Sequence, residues 1–114
     1  MALIYAAVAI LGMTAILGMY LLSLVLRSKS TPKGITIIHG LLAVVALILL
    51  IVYCFGHTSG PWVSIIVFLV AASGGFIMNY RDITGKSVPI WLGIVHGLTA
   101  IAGFALLLWF AFCT

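Results

Sequence analysis

The sequence predicts an all-α integral membrane protein, a four-helix bundle built from two tandem parallel helix-pair repeats. Three observations predict it. Of 114 residues, 66% are hydrophobic and 5% are charged, against about 25% charged in an ordinary soluble domain. Four apolar stretches, about 2–26, 34–55, 61–80 and 88–112, each hold the roughly 20 residues that a helix needs to cross about 30 Å of hydrocarbon. The chain also aligns with itself, without a gap, at an offset of 57 residues, which divides the single domain 1–114 into repeats 1–57 and 58–114.

The first stretch reads as a spanning helix and not as a cleaved leader. It lacks a positive segment ahead of it, runs longer than a signal core, and carries its basic residues afterwards. The first connection holds Arg27, Lys29 and Lys33. The second stretch opens just after Pro32, where a missing N–H is harmless. It leads into Gly56-His57-Thr58-Ser59-Gly60-Pro61, a connection without lysine or arginine. The third stretch ends near Tyr80, and the connection behind it holds Arg81 and Lys86. The fourth opens at Pro89.

All five basic residues thus fall at one end of the bundle, and the positive-inside rule makes that end cytoplasmic. Both termini are then periplasmic, and we expect the protein in the bacterial inner membrane. Trp62 and Trp109 belong at the outer interface, Trp91 and Tyr80 at the inner one. Topology and anionic lipid account for the net charge of +4, so no nucleic acid partner is implied.

The offset of 57 matches Gly18 with Gly75, Lys29 with Lys86, Ser30 with Ser87, Pro32 with Pro89, His39 with His96, Gly40 with Gly97 and Ala43 with Ala100. Each repeat holds an even number of helices, so the copies share one orientation and a pseudo-twofold axis along the membrane normal. Each histidine comes seven residues after its proline, about 10 Å into its helix. An ionisable side chain at membrane depth is a functional candidate, and two at one depth suggest a shared ligand. Small residues share the helix face of each: Thr36, Ala43 and Ala46 beside His39, and Gly93, Ala100 and Gly103 beside His96. Gly18 and Gly75 fall at similar depth on the other two helices.

These features together point to one noncovalent b-type heme per chain. Iron takes axial imidazole from opposite faces, and the flat macrocycle needs small neighbours. His39 and His96 are the candidate iron ligands. Gly18, Gly75, Ala43 and Ala100 would line the macrocycle, and Arg27, Lys29, Lys33, Arg81 and Lys86 would meet its propionates. The pattern resembles the four-helix membrane cytochromes b in architecture and in its His-Gly pairs. That resemblance implies electron transfer, as a small membrane oxidoreductase or electron-transfer subunit, with a quinol or a redox protein as partner; the sequence leaves a homodimer open beside a monomer. Diheme members of that family carry four membrane histidines. This chain has His39 and His96, with His57 in a loop, which argues for one heme. Length and helix number also resemble the small multidrug resistance transporters, but those depend on a carboxylate in the first helix. The one acid here is Asp82, in a loop.

Other readings stand beside this one. A neutral histidine pair can pin helices together for about 0.6–2 kcal/mol without any cofactor, giving a structural or regulatory subunit. A lone transition metal would lack further ligands. Cys54 and Cys113 sit near the outer ends of their helices and could pair or stay free, and neither stands in a covalent heme-attachment motif. Met13, Met19 and Met78 read as filler, His57 as a solvated loop residue, and Asn79, Tyr80 and Trp91 as interfacial anchors or headgroup contacts.

Overall fold

The computed structural model describes residues 1–114 and holds four helices and no strand: α1 (Ala2–Leu26), α2 (Lys33–Phe55), α3 (Trp62–Ile83) and α4 (Ile90–Cys113). At 22–25 residues, each is about 33–38 Å long. All four are long and apolar enough to span a membrane. The bundle measures 44 × 20 × 19 Å, matching a bilayer of about 40–45 Å with its headgroups. Most large apolar side chains, such as Ile16, Leu41, Phe76 and Leu98, face outward, as lipid permits and water would not.

Element boundaries differ from expectation in two places. α3 continues through Arg81 and Asp82 to Ile83, three residues past Tyr80, because a helix entering the headgroup region can carry polar residues without leaving its hydrogen-bond ladder. Pro32 and Pro89 sit at the N-cap, with φ −63° and −62°. They stand just outside the first turn, and α4 therefore starts at Ile90.

The helices form a ring in chain order. α1 packs on α2 and α4, and α3 on α2 and α4, while the pairs α1/α3 and α2/α4 are diagonal. The densest packing lies in the half nearer the termini, where Ile4, Ala7, Ala46, Leu50 and Leu107 are fully buried. Here the repeats trade size for size. Phe68 presses its ring edge on Gly103, where an added Cβ would lie 3.1 Å away. The matching positions of the first repeat are Leu11 and Ala46, a smaller side chain against a larger one. Buried Ser64 also donates to the Gly103 carbonyl at 2.7 Å, a bond that the glycine's close approach allows.

The two basic loops share one stop signal. Ser28 N–H donates to Val25 O and Lys29 N–H to Leu24 O; Gly85 N–H donates to Asp82 O and Lys86 N–H to Arg81 O. Both are Schellman motifs, which need a left-handed residue after the cap. Ser28 (φ 54°) and Gly85 (φ 79°) supply it.

A candidate histidine site on the bundle axis

His39 and His96 lie one turn and a half into α2 and α4, on the inward face that also carries buried Ala46, Gly93 and Gly103. Their ring centroids are 6.2 Å apart, with planes at 74°. The two rings meet across the diagonal, between helices whose backbones do not touch.

Each ring is fixed by the other helix of its own repeat. His39 Nδ1 lies 2.9 Å from Thr14 O of α1, and His96 Nδ1 lies 2.7 Å from Ala71 O of α3. A carbonyl only accepts, so Nδ1 carries the hydrogen in both rings, and in the neutral imidazole Nε2 then keeps its lone pair. Thr14 and Ala71 stand four residues before Gly18 and Gly75, and the glycines make room for the rings. A Cβ on Gly18 would lie 2.8 Å from His39 Cε1, and one on Gly75 3.0 Å from His96 Cε1. The glycines thus seat the imidazoles directly. The carbonyls of Thr14 and Ala71 are the contribution that sequence reasoning missed. The signal available was their repeat-matched place one helical turn ahead of each glycine.

Beside His96, Leu22 of α1 packs over the α4 backbone. Leu22 Cδ1 would meet a Cβ on Gly93 at 3.3 Å, and Leu22 Cδ2 would meet one on Gly97 at 3.6 Å. Around His39 the fit is looser, and a Cβ on Gly40 would meet nothing within 4 Å. The repeat counterpart of Leu22 is Asn79, whose Oδ1 is buried with no hydrogen-bond partner. Ala43 and Ala100 are half-buried.

The five cations remain at the loop end. Lys33 pairs with Asp82 at 2.7 Å, and Thr31 Oγ1 donates to the same carboxylate at 2.8 Å. Arg27 folds back on Ser23 O at 3.0 Å, and Arg81 donates to Ser87 O at 2.9 Å. Lys29 and Lys86 line a recess between the loops. No group of three or more His, Cys, Asp or Glu residues comes together.

At the opposite end His57 is exposed, stacks on Tyr53 at 3.9 Å and donates from Nδ1 to Tyr53 O at 2.9 Å. Cys54 is buried and Cys113 exposed, both with free thiols. Trp62 and Trp109 are exposed at this end, Tyr80 and Trp91 at the basic end, positions suited to the two interfaces. Fold and site together define a four-helix membrane bundle of two tandem hairpins with a histidine pair on its axis. No protein-family model, curated protein or solved structure matches the chain.

Proposed function

We propose that this protein is a membrane b-type heme protein in which His39 and His96 supply both axial ligands, and that it carries electrons. One observation supports this reading above the rest. Both imidazoles have Nδ1 engaged by a main-chain carbonyl and Nε2 free, at a ring separation of 6.2 Å. Histidine ligands are usually oriented through the second ring nitrogen in this way. With about 2.0–2.1 Å for a nitrogen–metal bond and about 1 Å from nitrogen to ring centre on each side, two imidazoles on one metal have centroids roughly 6 Å apart. Bound heme would supply a one-electron iron couple, and two protein ligands would leave no open position for oxygen. Arg27, Lys29, Lys33, Arg81 and Lys86 are the cations available to its propionates. We place the protein in the bacterial inner membrane with the basic loops cytoplasmic, exchanging electrons with a quinol or a redox protein, as a monomer or a homodimer.

A second reading is favoured by Leu22 and Phe68, which fill the space over Gly93, Gly97 and Gly103. In that reading the bundle is a cofactor-free structural or regulatory subunit, and the histidines are helix staples. Absorption spectra of purified protein, oxidised and dithionite-reduced, decide between them. The heme reading expects a six-coordinate low-spin b-type spectrum that is lost or turns high-spin in both His39→Ala and His96→Ala. Protein that stays colourless after hemin addition overturns it.

A further inference from the structure

Between the two basic loops lies a recess of about 550 Å³ whose polar wall includes Lys29, Ser30, Lys33, Lys86, Ser87 and the carboxylate-bearing Asp82. Neither histidine lines it, and Arg27 and Arg81 stand outside it. The repeat places Lys29 opposite Lys86 and Ser30 opposite Ser87, and the two Schellman turns hold both lysines at equivalent points of the chain. The pseudo-twofold axis that relates the histidines therefore relates these lysines too.

Charge is unbalanced here. Asp82, the only acidic side chain of the protein, is already engaged by Lys33 and Thr31. Lys29 and Lys86 have no carboxylate partner. The first turns of α2 and α4 border the same recess, and neither has a side-chain cap on its free N–H groups, which adds positive dipole ends to the two lysines. Val25, Val88 and Ile90 are its apolar lining residues, and α1 and α4, which carry Val25 and Ile90, are membrane-spanning in length and composition. A concave site with two uncompensated cations and apolar lining residues at headgroup depth has the makings of a lipid phosphate site.

We infer that this recess binds the phosphate of an anionic phospholipid, held by Lys29 and Lys86, with the glycerol portion against Val25, Val88 and Ile90. The inference does not rest on the heme reading, since the recess is walled by loops and helix ends alone; it gives Lys29 and Lys86 to the lipid and leaves Arg27, Lys33 and Arg81 as the cations for propionates.

The test uses delipidated protein in a neutral detergent. Dioleoylphosphatidylglycerol or dioleoylphosphatidylcholine is added, and bound lipid is counted by native mass spectrometry. One phosphatidylglycerol should be retained where phosphatidylcholine is not. Removing both charges in Lys29→Gln/Lys86→Gln should weaken retention about thirtyfold, from about fivefold per lysine. The Lys29→Arg/Lys86→Arg protein should keep it, which separates lost charge from lost folding. Equal retention of the two lipids, undiminished retention in the glutamine protein, or inorganic phosphate bound as tightly as the lipid would each overturn the assignment.

Discussion

Gly18→Ala puts a methyl group 2.8 Å from His39 Cε1. Ordinary contact starts at 3.4 Å, so the ring must retreat by about 0.6 Å. His39 Nδ1 sits 2.9 Å from Thr14 O, and a retreat of that size along the bond carries it to about 3.5 Å, the edge of hydrogen bonding. Overpacking of this kind costs about 1–3 kcal/mol, and a weakened interhelical bond adds about 0.6 kcal/mol. Alanine's better helix propensity returns about 1 kcal/mol, which leaves a net loss of about 0.6–2.6 kcal/mol. Gly12 provides the control in the same helix, because a Cβ there meets nothing within 4 Å. Gly12→Ala should be neutral or stabilising. Gly75→Ala, at 3.0 Å from His96 Cε1, should fall between the two. Reversible unfolding in mixed micelles, followed by far-ultraviolet circular dichroism, measures all three. If Gly18→Ala proves as stable as Gly12→Ala, the ring is not seated on the glycine and the argument for a positioned imidazole fails.

Three further outcomes follow from the same packing. Ser28→Gly should stabilise by about 1 kcal/mol in the same unfolding assay, since a left-handed serine carries a strain of that order which Gly85 avoids at the matching turn; a loss of stability would show that Ser28 makes a contact worth more than its strain. Asn79→Leu copies Leu22 of the first repeat and removes a buried unpaired oxygen, so it should stabilise by about 1–2 kcal/mol. Destabilisation instead would mean that Asn79 Oδ1 has a partner when the protein is in its membrane. Asp82→Asn removes the ion pair between half-exposed Lys33 and the largely covered Asp82 carboxylate and should lower stability by about 1 kcal/mol, a shift that high salt should reduce in the native protein.

The spans were legible because lipid imposes one rule on every segment: about 20 apolar residues and a closed hydrogen-bond ladder. The repeat was legible because His39, Pro32 and Lys29 are rare types in this composition, so their recurrence at one offset carries information that leucine matches do not. What stayed hidden depends on backbone atoms or on shape. Main-chain carbonyls exist at every position, so residue type did not mark Thr14 and Ala71 as the histidine partners, and their repeat-matched place one turn ahead of each glycine was the one signal. Ser28 and Gly85 share a conformation but not an identity, and the match is visible only in their φ angles. Gly18 and Gly75 hold the imidazoles and Gly93 and Gly103 hold Leu22 and Phe68, contacts of shape that residue type alone does not display.

Helix separation does not discriminate a heme protein from a stapled bundle here. α2 and α4 stand on a diagonal of the ring, so their backbones are apart whether or not anything lies between them, and the imidazoles reach across the gap by their own length. The informative quantity is the state of Nε2. A histidine that served only as a staple would need one nitrogen, and both rings already spend Nδ1 on a carbonyl of their own hairpin. Nε2 of each ring is then left without a protein partner, though neither atom is fully buried. Since the two rings are the same tautomer, neither Nε2 can donate to the other, and a direct histidine–histidine bond cannot satisfy them. A proton shared between the rings or a metal bound by both can. These separate by ¹⁵N magnetic resonance of histidine-labelled protein: a shared proton shifts both Nε2 signals reversibly with pH in the absence of iron, whereas the heme reading expects pH-insensitive neutral imidazoles until hemin is added, and paramagnetic loss of both signals together afterwards.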